Sequence, residues 1–190
     1  MRKSRQETAE TRQRIVEAAS RKFRENGIEN TALSDVMAEA GLTHGGFYKH
    51  FASKDQMVVE SLQLATQNAR ENMAVTLDGA PGKRGLDATI DRYLSALHVG
   101  GTCSDCALVS LASELVRGSE DVRSAAADST IALIDLFASH LSDLTPAAAR
   151  KKASVIVSTM IGALTVARLV NDEALAASVL REARKALQQP

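Results

Sequence analysis

The sequence predicts an all-α protein. Apolar residues recur at spacings of three and four along almost the whole chain, and no stretch shows the sustained alternation that is typical of a β-strand. Breaks rich in glycine, proline or asparagine divide this pattern into about nine segments of helical length. With 190 residues, of which 45% are hydrophobic and 24% charged, the chain can form a sizeable core and has ordinary globular composition.

Composition also limits where the protein is expected to act. We find no apolar run approaching the roughly 20 residues of a membrane helix, and no apolar signal-peptide core after the basic start. A cytoplasmic protein without membrane association is therefore predicted. Residues 1–55 hold 10 basic against 8 acidic residues and the remainder 13 against 15, for a net charge of zero. This weak asymmetry decides little about nucleic-acid binding.

The first predicted helix covers about residues 8–26. Ile15, Ala19 and Phe23 fall on one face of it, and Gly27 follows as a C-terminal cap in the left-handed conformation.

Two short helices separated by a glycine come next. The second helix is predicted over about residues 33–40, Gly41 breaks it, and a third helix starts shortly afterwards, which is the order of a helix-turn-helix motif. The third helix must be brief, because each of its two glycines lowers helix stability by about 1 kcal/mol relative to alanine. Packing of Phe47 and Phe51 is therefore expected to hold it.

The C-terminal part contains the longer helices. Ser53 is the predicted N-cap of a helix over about residues 54–77, and a linker over 78–85 follows. Further helices are predicted over about residues 86–99, 104–117, 121–143, 146–170 and 172–188. We place the domain boundary before the long helix, which gives an N-terminal three-helix domain over 1–55 and a C-terminal helical domain over 56–190.

A resemblance to a known family lies in residues 41–54, Gly-Leu-Thr-His-Gly-Gly-Phe-Tyr-Lys-His-Phe-Ala-Ser-Lys, preceded by Thr31 and residues 35–41. This region resembles the TetR/AcrR family of bacterial one-component repressors. The resemblance implies a homodimer whose first three helices bind a palindromic operator in double-stranded DNA. It also implies a C-terminal domain that contains the dimer interface and a pocket for a small-molecule effector. A regulator of this kind is expected to have no enzymatic activity and to carry no cofactor.

The resemblance assigns the DNA contacts. Tyr48, His50 and Lys54 hold phosphates in the family pattern, and such contacts are needed because half or more of protein–DNA hydrogen bonds go to the backbone. Base readout falls to the start of the third helix, with the lysine at its far side as a further contact: Thr43, His44, Gly45, Gly46 and Lys49.

Two N-terminal features leave alternatives open. Ala32 stands where the family usually has Ser or Thr as a cap and phosphate contact, so Thr31 or Asn30 is expected to cap the second helix, with Thr31 as the remaining DNA contact. The basic arm is either a solubilising tail or a minor-groove contact; its residues are Arg2, Lys3 and Arg5.

Cys103 and Cys106 are the second feature of interest. Cys-Ala-Leu at 106–108 with Leu-Ala-Ser-Glu at 111–114 resembles a large branch of the same family, in which the cysteine opens the helix over the ligand pocket. A helix N-terminus favours the thiolate, so Cys106 is a candidate sensor of oxidants or electrophiles with Cys103 as resolving thiol. The alternatives are a buried Cys106, an inert Cys103, or a metal site with His98 that lacks two ligands; no metal is predicted.

The effector pocket is predicted to have mainly aliphatic walls. Only two of the six aromatic residues, Tyr93 and Phe137, lie outside the N-terminal domain, so an aromatic cage for a flat cation is poorly supplied. The predicted ligand-binding residues are Met73, Tyr93, Leu97, His98, Cys106, Leu111 and Phe137, with Leu108 and Leu133 as further wall candidates.

The last two helices are predicted to form the dimer interface, because the helix over 146–170 has a face of small and apolar residues suited to close helix approach. An ordinary core face is the alternative. The predicted interface residues are Val155, Thr159, Gly162, Ala163, Val166 and Val179.

A thiol oxidoreductase is the alternative function, because Cys103 and Cys106 form a Cys-x-x-Cys pattern. Thioredoxin-like sites lie at a strand-to-helix junction, and no strand pattern precedes Cys103. Paired catalytic carboxylates, a nucleophile elbow and a phosphate-binding loop are also missing from the sequence. We therefore predict a regulator, most simply a repressor, that is released by a ligand or by cysteine modification.

Overall fold

The structure is a computed structural model that describes residues 5–80, 82–95 and 106–189. All regular structure in these ranges is helical, which confirms the predicted fold class. The helices are α1 (Arg5–Asn26), α2 (Leu33–Glu39), the 3-10 helix η1 (His44–Lys49), α3 (Lys54–Asp78), α4 (Lys83–Tyr93), α5 (Ala107–Ser110), α6 (Ala112–Arg117), α7 (Glu120–Ser139), α8 (Pro146–Leu169) and α9 (Glu173–Gln188).

Three predicted helices differ from the observed ones. The third is a 3-10 helix, in keeping with its two glycines. The segment predicted as one helix over 104–117 forms α5 and α6 instead, because Leu111 leaves the helical conformation (φ −112°, ψ 5°) while its side chain stays buried. The predicted helix over 86–99 is observed as α4, and its residues 96–99 lie outside the described residues.

Helix α3 connects the N-terminal and C-terminal helices. It packs against α1, α4, α5 and α7, while α8 packs between α7 and α9. Near its start Glu60 pairs with Arg12 of α1, and in its middle the hydroxyl of Thr66 lies 3.1 Å from that of Ser129 in α7. The two predicted domains therefore share one continuous core that runs along α3.

Polar side chains begin the long helices. The predicted N-cap at Ser53 is confirmed, since its hydroxyl accepts the N–H of Gln56 at 3.1 Å. Three other N-caps accept backbone N–H groups in the same way: Ser119, Thr145 and Asp172.

Helix α8 corrects the expectation that the chain holds no run fit for a membrane. Within the described residues, α8 is the one helix that is long enough and apolar enough to cross a membrane, judged by length and composition alone. Its mean hydropathy is 1.4. However, 39% of that segment is buried inside the protein, and Ile156, Met160 and Leu164 belong to the core. The core helix of a soluble protein passes the same test, so length and composition alone do not make α8 a membrane span.

Candidate nucleic-acid interface and effector cavity

The turn between α2 and η1 depends on Gly41. Its φ of +73° lies in the left-handed region, its N–H donates to the carbonyl of Ala38 at 2.9 Å, and the N–H of Leu42 donates to the carbonyl of Met37 at 2.8 Å. This is a Schellman cap. A Cβ at Gly41 would meet no atom within 4 Å, so the position requires glycine for its conformation rather than for space.

Two buried aromatic rings hold η1 against the core. Phe47 is 0% and Phe51 2% exposed, and their rings stack with centroids 5.6 Å apart. The predicted core roles of both residues are therefore confirmed.

Arg12 fastens the end of η1 to two helices. Its guanidinium lies 4.4 Å from the ring centroid of Phe51 and donates to the carbonyl of His50 at 3.3 Å. The same group forms two bonds with the carboxylate of Glu60, one of them at 2.6 Å. Through this one side chain, α1 is tied to both η1 and α3.

The other face of η1 is open. The predicted base-contacting residues Thr43, His44 and Gly45 are exposed, as are Tyr48 and Lys49. The hydroxyl of Thr43 does not cap η1, and Tyr48 is 72% exposed with its ring edge against Phe47. Gly46 and His50 are half-buried.

Lys54 has a structural role that the family resemblance did not indicate. Its Nζ donates to the carbonyl of Ile28 at 2.6 Å and to that of Thr31 at 2.8 Å, and it lies 5.9 Å from the ring centroid of Phe23. An ammonium group has three N–H donors. Two of them hold the connection between α1 and α2, which leaves one for a phosphate.

The structure contradicts the DNA contact predicted for Thr31. This residue is 1% exposed, and its hydroxyl donates to the carbonyl of Gly27 at 2.6 Å, with the carbonyl of Lys22 at 3.3 Å. Neither Thr31 nor Asn30 caps α2, whose N-cap Ala32 makes no side-chain bond. The threonine instead closes the C-terminal end of α1, where Gly27 has the predicted left-handed conformation (φ +86°).

The basic arm is described only at Arg5, because Arg2 and Lys3 lie outside the described residues. Arg5 is exposed and is the first residue of α1. It therefore belongs to a helix and not to an extended arm.

A cavity of about 50 Å³ lies between α3, α4 and the start of α5. It is lined by Ala69, Asn72, Met73, Thr76, Thr89, Arg92, Tyr93 and Cys106. A narrower space of about 10 Å³ shares Ala69, Met73 and Cys106 with it and extends to Leu108, Ser129 and Leu133. We call the two together the α3–α4 cavity.

The predicted pocket residues separate into three groups. Met73, Tyr93 and Cys106 line the α3–α4 cavity, whereas Leu97 and His98 lie outside the described residues. Leu111 and Phe137 are 3% and 0% exposed and line neither part of this cavity, so their contact with a ligand stays a prediction. Leu111 is buried at the break between α5 and α6, and Phe137 lies on the inner face of α7.

Sequence reasoning missed the polar side of the cavity, formed by Asn72, Thr76, Thr89 and Arg92. Polar residues on an amphipathic helix have the same pattern whether they face solvent or a cavity. Their spacing therefore gave no signal that could have separated the two.

Cys106 is buried at the start of α5. Burial raises the pKa of its thiol, and this outweighs the hydrogen bond with Tyr93, the N–H groups of Val109 and Leu108, and the charge of Arg168, which lower it. Burial, with the neighbouring Cys106, also raises the pKa of Tyr93 well above its usual value. Both groups are therefore protonated at neutral pH, and the four residues of α5 form too short a helix for a strong dipole. Cys103 lies outside the described residues.

An exposed apolar stripe runs along α8. Val155 is 61%, Val166 45% and Leu169 78% exposed, with Gly162 exposed between them. Two other predicted interface residues, Thr159 and Val179, are half-buried. Ala163 is 9% exposed and belongs to the core of its own chain, which corrects its place in the predicted interface.

Two family models match the chain. The model described as "Bacterial regulatory proteins, tetR family" matches residues 15–60, and the model described as "Transcriptional regulator LmrA/YxaF-like, C-terminal domain" matches residues 83–183. Among curated relatives, the HTH-type transcriptional regulator AcrR of Shigella flexneri is 39% identical over 70 residues, 37% of this chain. This match spans only 33% of the length of AcrR.

Longer matches cover most of the chain. An uncharacterized HTH-type transcriptional regulator of Mycobacterium tuberculosis, Rv0196, is 31% identical over 173 residues, which are 85% of this chain and 86% of that protein. A TetR transcriptional regulator from Chloroflexus aurantiacus has a similar structure (TM-score 0.76, 26% identity, 96% of this chain and 94% of that chain). The reduced form of E. coli NemR shares the fold (TM-score 0.77, 23% identity, 94% and 95%).

The fold and the open face of η1 define a helix-turn-helix transcriptional regulator with a helical C-terminal domain. The chain belongs to the TetR family of bacterial regulatory proteins. Members of this family are DNA-binding regulators without enzymatic activity, so the prediction that the chain is not an enzyme is confirmed and the thiol oxidoreductase is not favoured.

Substituting Thr31 tests its corrected role. We expect Thr31→Val to lower the free energy of unfolding by about 1–2 kcal/mol, because the buried carbonyls at the end of α1 lose a donor. Urea unfolding measures this change, and Thr43→Val, at an exposed threonine that caps nothing, is the matched control. Unchanged stability together with a weaker salt dependence of DNA binding would instead restore Thr31 as a phosphate contact.

Proposed function

We propose that this chain is a cytoplasmic, homodimeric transcriptional repressor that binds a palindromic operator and leaves it when a small molecule occupies the α3–α4 cavity. The observation that carries the proposal is that one helix, α3, lines the cavity with its C-terminal half and holds the helix-turn-helix segment with its N-terminal end. The division of labour follows the predicted domains, residues 1–55 for DNA and 56–190 for effector and dimer.

Recognition of the operator is assigned to the open face of η1. Thr43, His44, Gly45 and Gly46 contact base edges, where the two glycines allow the backbone to approach the major groove closely. Phosphate contacts on either side set the register. They come from Tyr48, His50 and the remaining donor of Lys54, with Lys49 as a further contact at the far side of η1.

Release of the operator is proposed to pass through the connection between α1 and α2. Lys54 binds its carbonyls from α3, and Glu114 of α6 accepts the N–H of Glu29 at 2.8 Å. A Cβ at Gly27 would come within 3.1 Å of the Glu114 carboxylate, so this contact is close. An occupant that displaces α3 or the α5–α6 segment would move this connection and with it η1.

Modification of Cys106 is proposed to act by the same route. The residue lines the cavity and precedes the α5–α6 segment that carries Glu114. Because its thiol is buried and protonated at neutral pH, only reagents that enter the cavity should reach it.

The homodimer is assigned to the exposed stripe of α8 together with α9. The stripe shows large apolar side chains that the rest of its own chain leaves open, at the spacing of one helix face. Leu175 of α9 is also exposed, at 49%. A two-fold axis through this surface would present two copies of η1 to successive major grooves.

Selection of operator sequences from random double-stranded DNA tests the assigned DNA contacts. We expect His44→Ala to relax the base preference at one position of each half-site, at a cost of about 1–3 kcal/mol on the selected operator. Tyr48→Phe should weaken binding to selected and unselected DNA alike by about fivefold, since one phosphate bond is lost. Failure to enrich any sequence, or an identical effect of the two variants, would contradict the assignment.

A charge in the α8 stripe tests the dimer. We expect Val166→Glu to convert the protein to a monomer at a concentration of about 10 μM and to lower operator affinity at least about tenfold, because an interface cannot bury the carboxylate unpaired. Sedimentation velocity gives the oligomeric state. Val116→Glu, at a valine of α6 that is 75% exposed, is the control and should leave the dimer intact. A monomeric unsubstituted protein would refute the proposal.

Variants of Glu114 test the proposed route by which the operator is released. We expect Glu114→Ala to speed hydrogen exchange at the amide of Glu29 and to lower operator affinity at least about tenfold, because a hydrogen bond to a charged group contributes about 1.5–3 kcal/mol. Glu114→Gln keeps an acceptor and should lie close to the unsubstituted protein, as should Glu120→Ala at an exposed carboxylate of α7. Unchanged exchange at Glu29 in Glu114→Ala would exclude this contact from the route.

A further inference from the structure

The charged groups around the α3–α4 cavity have one sign. Arg92 lines the wider part, Arg70 lines the narrower part, and no acidic residue lines either part within the described ranges. Among the described residues, the charged side chains that line the cavity are therefore two arginines without a carboxylate.

The exposed guanidinium of Arg92 makes one side-chain hydrogen bond and retains donors. One Nη1–H donates to the hydroxyl of Thr76 at 3.2 Å, and that hydroxyl donates to the carbonyl of Asn72 at 3.4 Å. In the described parts of the chain no carboxylate lies within ion-pair distance of Arg92. A guanidinium has five N–H groups in a planar fork, so donors remain for an incoming group.

Apolar and neutral polar groups complete the wall. Ala69 and Met73 of α3 face the cavity, and its narrower part reaches Leu108 and Leu133. The phenol of Tyr93 and the thiol of Cys106 are uncharged groups that hydrogen-bond to each other beside the cavity. The cavity thus joins a cationic side to an apolar side over a short distance.

Such a lining discriminates between classes of small molecule. A carboxylate that leaves water needs a cation and hydrogen-bond donors, and the Arg fork matches its two oxygens. A cationic molecule would face guanidinium groups with no counter-charge among the described lining residues, and a neutral acceptor would form weaker hydrogen bonds with Arg92 than a carboxylate does. Resting on the proposed function of this cavity as the effector site, we infer that the effector is a compact organic anion: its carboxylate binds Arg92 and its apolar part lies against Met73 and Leu133.

Matched pairs of carboxylate and amide test the inference. The probes are butanoate, hexanoate and benzoate, each with the corresponding primary amide, titrated into the full-length protein by calorimetry. We expect at least one carboxylate to bind about tenfold or more tightly than its amide, because only the anion pairs with Arg92.

Variants of Arg92 locate the site. Arg92→Gln should remove the preference for the carboxylate, and Arg92→Lys should keep most of it because the charge remains. Arg84→Gln, at an exposed arginine of the same helix that does not line the cavity, is the control and should bind as the unsubstituted protein does. Equal binding of carboxylate and amide, no binding of any carboxylate, or unchanged selectivity in Arg92→Gln would each overturn the inference.

Release of the selected operator is measured separately with the same probes. Binding of the carboxylate without release of DNA would support the anion site and contradict the proposed mechanism of release. If the amides released the operator and the carboxylates did not, the result would support the cavity as the effector site and overturn the inference that the effector is an anion.

Discussion

The attachment of η1 to the core is the constraint on which the interface depends. A six-residue 3-10 helix with two glycines has little stability of its own, so its position must come from tertiary contacts. Phe47 and Phe51 supply buried area, and Arg12 joins the ring of Phe51, the carbonyl of His50 and the carboxylate of Glu60. Because these contacts use the inner face of η1, its outer face stays accessible to the groove of a DNA duplex.

The same attachment places α3 between the helix-turn-helix segment and the cavity. This helix starts at Lys54 beside the helix-turn-helix segment, contacts Arg12 through Glu60, and lines the α3–α4 cavity from Ala69 to Thr76. Packed helices move as stiff bodies, because dense interiors leave no room for gradual deformation. In the proposed mechanism, a displacement at the cavity end of α3 would move Lys54 as well, where two carbonyls of the α1–α2 connection are bound.

Local chemistry made the fold predictable, and distant contacts limited the prediction of the site. The periodicity, the caps at Gly27 and Ser53 and the turn at Gly41 each depend on neighbours within a few residues, and all were recovered from the sequence. The burial of Thr31 depends on how the chain turns after α1, and the contact between Glu29 and Glu114 joins residues 85 positions apart. No spacing rule contains such information, which is also why the polar wall of the cavity was missed.

The contacts at the α1–α2 connection limit how strongly the cavity and the DNA can be coupled. Lys54 and Glu114 hold it by three hydrogen bonds to backbone groups, two from the ammonium and one to the carboxylate. Bonds to charged groups contribute about 1.5–3 kcal/mol each, and a shift of the connection would weaken them without exposing every partner to water. A coupling free energy of about 1–3 kcal/mol follows, which corresponds to a change of about 5- to 150-fold in operator affinity. A change of that size is enough to free an operator that is bound only moderately above the competing DNA.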